Sequence, residues 1–341
     1  MKVLVTGSQG YIGTFLTQFL QDNRMQVMGI DAGYYKDCNL IPIDDLVENK
    51  NIDIRDINLE DVLDFDAIVH LAALSNDPVG ELDEKLTFDI NYKATINLAK
   101  LAKEAGVKRF VFVSTQSIYG ISNSKIELDE YSSVKNPQTA YAKSKWLAEQ
   151  ELKTLEDKNF EIVYVRPSTV FGWSARLRTD IVFNNLLISG LIHGKIDVHS
   201  DGTPWRPIVH IDDLSKFILR VLNAEKDRIA GKAFNVGVLN GNYTVKEIAE
   251  AAKSCLPNNT TISYNTENLV DPRSYKVSFE RAKKDLDFIA QNSLLNGGNE
   301  LLSRIGSIKE YKEILGRKTN RLAQLKYLIK SEILDTELRY A

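Results

Sequence analysis

Three side chains near the middle of the sequence carry groups that can do chemistry together. Thr115 stands in Ser114-Thr115-Gln116-Ser117-Ile118-Tyr119-Gly120, and Tyr141 and Lys145 stand in Tyr141-Ala142-Lys143-Ser144-Lys145. Tyr141 and Lys145 are four residues apart, so on a helix they share one face. A free phenol has a pKa of about 10 and is a poor base at neutral pH. A nearby ammonium favours the phenolate and lowers that value. Such a phenol could take the proton from a hydroxyl while hydride leaves the same carbon. Thr115 would hydrogen-bond the same oxygen and fix its position. A Tyr–Lys pair at this spacing also occurs on solvated helix faces. Its joint occurrence with Thr115 and a glycine-rich turn, in this chain order, argues against chance.

A departing hydride needs an acceptor, and the start of the chain offers a place for one. The apolar run from Val3 leads into Thr6-Gly7-Ser8-Gln9-Gly10-Tyr11-Ile12-Gly13, a GxxGxxG spacing between a strand and a helix. Gly7 permits the tight turn, Gly10 lets the backbone approach a pyrophosphate, and Gly13 allows close helix–strand packing. The helix N-terminus would then turn unpaired N–H groups and a positive dipole end toward the phosphates. Asp31 closes the next apolar run about twenty residues on, where a carboxylate can accept from adenosine ribose hydroxyls. It would repel a 2′-phosphate, so NAD is favoured over NADP; the alternative is an Asp that only caps a turn. The positive nicotinamide ring would further favour a Tyr141 phenolate, and Lys145 would also hold the nicotinamide ribose. Asp53-Ile54-Arg55-Asp56, taken alone, reads as a solvated charged turn.

The elements that must position these groups follow from the pattern. Apolar runs at 3–6, 27–30, 67–71, 110–113 and 162–165 alternate with helical stretches at 14–21, 82–105 and 141–155. Gly106 is a stop signal for the second of these. Continuous apolar strands separated by helices imply a parallel sheet covered on both faces, with right-handed crossovers. The expected fold is therefore α/β: a Rossmann-like, doubly wound parallel sheet with a smaller C-terminal α/β substrate-binding region. Residues 1–170 would form the NAD-binding domain, with returning segments near 205–240, and 171–341 mainly the substrate-binding region. Helices are expected at 181–189, 212–222 and 245–255, and strands at 208–211 and 233–236. The polar stretch 291–300, with Gly297-Gly298, reads as a surface loop. The tail 320–341 could form a helix, with no indication of what it packs on.

With 341 residues and 43% hydrophobic content, the chain can bury a sizeable core. Its net charge of -3, with mixed signs along the chain, gives no nucleic-acid footprint and no polybasic membrane anchor. The two cysteines, Cys38 and Cys255, form no CxxC pair, so neither a metal site nor a disulfide framework is suggested. No signal peptide or membrane-length apolar stretch is visible, and a cytoplasmic protein is the default expectation.

Together, the glycine turn, Asp53-Ile54-Arg55-Asp56, His70-Leu71-Ala72-Ala73, Asn91, the 114–120 stretch, Tyr141/Lys145 and Arg166-Pro167 resemble the extended short-chain dehydrogenase/reductase family, in its nucleotide-sugar epimerase/dehydratase branch. The resemblance runs from Lys2 to about Leu286. It implies that Asp53 and Ile54 hold the adenine and that Leu71, Ala72 and Ala73 line the cofactor. Tyr11, Ile12, Ser114 and Pro167 belong to the same implied lining. Asn91 would support the active-site lysine. His70 reads as a packed core histidine. Arg206, in Asp201-Gly202-Thr203-Pro204-Trp205-Arg206-Pro207, and Arg273, in Asp271-Pro272-Arg273-Ser274-Tyr275, match the two arginines that meet a sugar nucleotide's diphosphate. Guanidinium forks suit phosphate oxygens. Asn185 is a further phosphate candidate, and Arg176-Leu177-Arg178 a further cationic cluster.

The sequence also departs from the branch. Where sugar 4,6-dehydratases carry Asp-Glu after the catalytic threonine, this chain has Gln116 and Ser117, which disfavours dehydration. Ser168 follows Arg-Pro where Asn is common, and with Gln116 and Ser117 it forms the implied substrate wall. The expected reaction is hydride transfer at a sugar carbon, C4, of a nucleoside-diphosphate sugar, by an epimerase or dehydrogenase. The alternatives are an NDP-4-keto-sugar reductase, a dehydratase-like enzyme and, remotely, a non-catalytic NAD-sensing protein. A homodimer through the 82–105 and 141–155 helices is expected by analogy.

Overall fold

The computed structural model describes residues 1–43, 47–122, 126–265 and 274–341. Seven parallel strands form the central sheet, in the order Ala233–Val236, Glu161–Pro167, Arg109–Val113, Ala67–His70, Lys2–Thr6, Gln26–Asp31 and Glu48–Asn51. The first strand is internal to the sheet and the chain winds outward from it in both directions, which is the doubly wound arrangement. Its register sets Val3 beside Ala67 on one side and Val27 on the other.

Period-two alternation divides the strand side chains between two cores. Val3 and Val5 join Val69, Val111 and Val163 on one face, packed with Leu16 and Leu20 of the Tyr11–Asp22 helix and Phe217 of the Ile211–Asn223 helix. Leu4 joins Ile68, Phe110 and Ile162 on the other, with Leu98 of the Ala94–Glu104 helix and Ala148 of the Ala140–Leu152 helix. Strands buried on both faces explain why they read as continuous apolar runs. The single helix expected over 82–105 begins at Glu84, capped by the Asp83 side chain. It is interrupted by a π-turn at Asp89–Lys93 and resumes as Ala94–Glu104.

The second region combines the three-stranded sheet Asn242–Thr244, Trp205–His210, Thr169–Phe171 with the parallel pair Thr261–Tyr264 and Lys195–Val198. Around them lie the helices Val182–His193, Val245–Ser254 and Leu294–Gly306. The last of these corrects an expectation: residues 294–306 are helix, not surface loop. Gly297 and Gly298 are close-approach positions. A Cβ on Gly297 would lie 2.6 Å from Phe171, and one on Gly298 would lie 2.7 Å from Cys255 Sγ. Glycine as a breaker and glycine as a packing contact look identical in sequence.

The tail forms the helix Arg321–Lys330 and a following turn, and it returns to the first region. Leu325, Leu328, Leu334 and Leu338 are buried in the core that holds Leu4, Ile30 and Ile54. Among the described residues, no helix is long and apolar enough to cross a membrane.

Candidate active site

The strand Lys2–Thr6 ends in the glycine turn, and the Tyr11–Asp22 helix starts immediately after it. Gly7 has φ +74°, and a Cβ there would sit 2.7 Å from the Ala72 backbone nitrogen. A Cβ on Gly13 would sit 2.0 Å from the Gly7 carbonyl oxygen. Both positions therefore require glycine. The turn opens on a cleft lined by Gly7, Gly10, Tyr11, Ile12, Gly13, Asp31, Asp53, Ile54, Leu71, Ala72 and Ala73. Residues from four separate stretches of sequence thus meet in one cavity. Sequence reasoning missed Tyr34, Tyr35 and Arg321, which line the same cleft, while Arg178, of the expected cationic cluster, does line it.

Asp31 is held by two backbone amides, accepting from Gln9 N at 3.0 Å and from Gly33 N at 2.8 Å. Burial pushes its carboxyl above the usual carboxylate range, against the pull of those amides. Each carboxylate oxygen retains acceptor capacity for a ribose hydroxyl. Asp53 is more heavily engaged. Arg55 donates to it from its backbone N at 2.9 Å, Nε at 2.9 Å and Nη2 at 2.6 Å, and the Tyr34 hydroxyl donates at 3.1 Å. Burial works to raise the Asp53 pKa, but Arg55 overcomes it and holds the carboxyl below the usual range. Tyr11 turns its hydroxyl to the Gly172 carbonyl, 2.8 Å away, so it couples the turn to the second region. Asn184 donates to that hydroxyl at 3.4 Å and to the Arg178 carbonyl at 3.0 Å. Asn185, the expected phosphate contact, instead donates to the Thr179 carbonyl at 2.9 Å.

The three candidate reacting groups stand at the carboxyl edge of the sheet. Thr115 follows the Arg109–Val113 strand and caps the short helix Gln116–Tyr119, accepting from Ser117 N at 3.1 Å. Tyr141 and Lys145 lie on the Ala140–Leu152 helix, whose first turn docks on the 76–81 segment: Thr139 bonds Asp77, and Ala140 N donates to Glu81 at 3.0 Å. Gly80 leaves room for Tyr141; a Cβ there would sit 2.9 Å from the tyrosine's own Cβ. The Tyr141 side chain is half-buried, and the Thr115 hydroxyl lies close enough to favour its phenolate. The expected lowering of its pKa is not what the protein alone produces. Burial pushes it up to about 12, opposed mainly by the Thr115 hydroxyl and, more weakly, by Arg178, while Asp77 adds to the rise.

Lys145 is buried and donates to the Val113 carbonyl at 2.8 Å, with Nζ 4.7 Å from the Phe112 ring centre. Burial pushes its ammonium down to about 7, against the opposing charge of Glu149. Glu149, one turn further along, grips Arg166 through two contacts of 3.0 and 2.6 Å, both side chains nearly inaccessible. That pair ties the helix to the Glu161–Pro167 strand. Asn91, within the π-turn, bonds the Leu74 backbone and the Ser144 hydroxyl, so it meets the neighbour of Lys145 and not the lysine itself. His70 is buried between Thr6 and Thr95, and burial holds it well below its ordinary pKa.

The expected substrate wall is partly assembled. Gln116 donates to the Arg166 carbonyl at 3.0 Å and to the Val236 carbonyl at 3.5 Å, and it accepts from Ser168 Oγ at 3.1 Å, which fixes its amide. Arg206 lies part-buried in the Trp205–His210 strand, bonded to the Trp205 carbonyl at 2.9 Å. Arg273 falls outside the described residues. Ser114, Pro167, Asn91, Tyr141 and Lys145, all expected to meet the cofactor, are not among the residues that line the cleft. The Ser114 hydroxyl is nonetheless buried with no hydrogen-bond partner. The turn, whose Gly7 and Gly13 leave no room for Cβ atoms, and the Asp31 carboxylate facing the same cleft fit a bound dinucleotide.

The model of the NAD dependent epimerase/dehydratase family matches residues 3–237. The chain is 25% identical to UDP-glucuronic acid decarboxylase 1 of Arabidopsis thaliana over 310 residues, covering 89% of this chain and 69% of that one. It is 25% identical to an uncharacterized UDP-glucose epimerase of Bacillus subtilis over 320 residues, 90% and 99% of the two chains. Its fold is similar to that of UDP-glucuronic acid 4-epimerase from Bacillus cereus, solved with UDP-glucuronic acid and NAD. The TM-score is 0.76, with 23% identity and coverage of 93% and 100%.

Proposed function

The chain belongs to the NAD dependent epimerase/dehydratase family, and on that premise we propose that it transfers hydride at C4 of a nucleoside-diphosphate sugar, as an epimerase or 4-dehydrogenase. NAD is the cofactor, and when bound it accepts the hydride. The observation that carries the reading is Tyr141 and Lys145 one turn apart on the Ala140–Leu152 helix, with Lys145 reaching the Val113 carbonyl two residues before Thr115 at the sheet's carboxyl edge. Tyr141 takes the proton of the sugar hydroxyl, and Thr115 shares that oxygen and fixes it. Lys145 stands where its ammonium can meet a ribose hydroxyl once it leaves the Val113 carbonyl. Gly7 and Gly10–Gly13 seat the pyrophosphate, and Asp31 receives the adenosine ribose.

The names of the curated relatives support a uridine diphosphate sugar as the substrate class. Gln116, whose amide is committed to Arg166 and Ser168, supplies no acid for water loss, so the dehydratase reading is weaker. Arg206 and Arg273 are assigned to the substrate diphosphate. A homodimer belongs to the same proposal; Leu147, 42% exposed on the Ala140–Leu152 helix, would be covered by it. Incubation with candidate UDP-sugars is the test. A new sugar without net NADH indicates epimerisation, and accumulating NADH indicates net oxidation. Neither outcome across the hexose and hexuronate series would overturn the proposal.

A further inference from the structure

We propose that the tail 320–341 belongs to the cofactor site, because it carries the Arg321 guanidinium into the dinucleotide cleft to pair with the cofactor's diphosphate. The inference rests on the NAD reading above. The tail lies beyond the residues that the family model matches.

Arg321 opens the Arg321–Lys330 helix and is only 2% exposed, yet it lines the same cleft as Gly7 and Gly10–Gly13. Its guanidinium donates to two backbone carbonyls, Arg176 at 2.6 Å and Lys318 at 3.3 Å, and stacks 4.5 Å from the Tyr35 ring centre. No carboxylate among the described residues forms an ion pair with it. Arg178, its cationic neighbour in the cleft, is already engaged by Asp180 at 2.8 and 3.0 Å. Burial and the like charge of Arg178 both work against the charged form of Arg321. Asp180 offsets this only in part: it accepts from the Arg321 backbone N at 3.4 Å, but its carboxylate is already paired with the Arg178 guanidinium, and a buried cation that shares its counter-ion remains costly. The anion that the glycine turn is shaped to receive would remove that cost, and a guanidinium fork matches its oxygens.

The rest of the tail fixes Arg321 in place and buttresses the adenosine wall. Leu334 and Leu338 are buried. The Tyr34 hydroxyl donates to the Leu338 carbonyl at 2.8 Å, and Arg55 donates to the Glu337 carbonyl at 2.8 Å. Arg339 pairs with Asp56 and lies 3.4 Å from Asp53. Tyr34 and Asp53 line the cleft themselves, so the tail grips its wall from behind.

The test is calorimetric titration of the full-length, cofactor-stripped protein with NAD, ADP and adenosine. Arg321→Met and Arg321→Gln should weaken NAD and ADP by on the order of tenfold to a hundredfold, the range of a lost charge-assisted hydrogen bond. Adenosine binding should be unchanged. Gln keeps a donor for the Arg176 carbonyl, which protects the fold. Wild-type affinity for ADP in both variants, or an equal loss for adenosine, would overturn the inference. Arg339→Ala is a surface change and should speed NAD release; an unchanged release rate would rule out the strap, even if both Arg321 variants failed to fold. A wild-type protein that binds no NAD would instead refute the cofactor reading.

Discussion

The dinucleotide cleft and the neighbouring carboxyl edge of the sheet are built on opposite principles. At the adenosine end the polar groups are satisfied. Asp31 rests on two backbone amides, and Asp53 is enclosed by Arg55, Tyr34 and Arg339. At the carboxyl edge, around the candidate reacting groups, the protein leaves groups unsettled. The Ser114 hydroxyl is buried without a partner, the Tyr141 phenol is pushed up to about 12, and the Lys145 ammonium is pushed down to about 7. Burial is the leading cause of both shifts. Settled polarity suits a site that must hold a ligand in one pose, and unsettled polarity suits one whose proton must move. The contrast teaches where substitutions should alter affinity and where they should alter rate.

The largest effect should come from Tyr141→Phe. It removes the proton acceptor and leaves the ring in its niche beside Gly80. Turnover should fall by about 10² to 10⁴, the usual weight of a general acid–base group, while NAD affinity in titration stays as in wild type. Equal losses in both would dissolve the distinction between the two regions. Asp31→Asn is the mirror experiment. It retains an acceptor for one of the Gln9 and Gly33 amides and withdraws the charge. NAD should bind roughly tenfold more weakly, as for a lost charged hydrogen bond, with turnover at saturating NAD unchanged.

Thr115→Val should reduce turnover by roughly tenfold, since it removes one orienting hydrogen bond of about 1 kcal/mol or slightly more. NAD affinity again provides the control. The smallest and subtlest effect concerns Lys145. Its folded-state pKa near 7 lies below the unfolded value of about 10.4. Between those values the unfolded chain holds more protons, so this group makes stability rise with pH across that window. Denaturant titrations of Lys145→Met should show a flatter pH dependence from about pH 7 to 10. An unchanged slope would mean that the ammonium is not desolvated as described.

What could be read from the sequence follows the same division. The glycine turn is a local device in which each residue's requirement is set by neighbours within a few positions, so Gly7, Gly10 and Gly13 declare themselves. Asp31 and the Tyr141/Lys145 pair sit at fixed offsets from elements with strong periodicity. Arg321 gives no such signal, because it reaches the cleft from a segment far along the chain, and for Arg178 the cationic cluster showed charge but not that packing would bring it to this cleft. Asp77 and Gly80, which shape the Tyr141 niche, are equally silent. The π-turn around Asn91 leaves no mark in the hydrophobic pattern, since its neighbours remain helical. Gly297-Gly298 misled because glycine's two uses, breaking a helix and admitting a close neighbour, share one letter. The tail was opaque for a related reason: Leu325, Leu328, Leu334 and Leu338 announce burial without naming the surface that buries them.

The central claim is that Tyr141, Thr115 and the cofactor converge on one sugar carbon. The most direct measurement is a single-turnover experiment with UDP-sugar deuterated at C4, followed through the NADH absorbance. The account predicts an NADH signal that forms more slowly with the deuterated sugar and is lost in Tyr141→Phe. A signal indifferent to deuterium at C4, or one that survives intact in Tyr141→Phe, would contradict it.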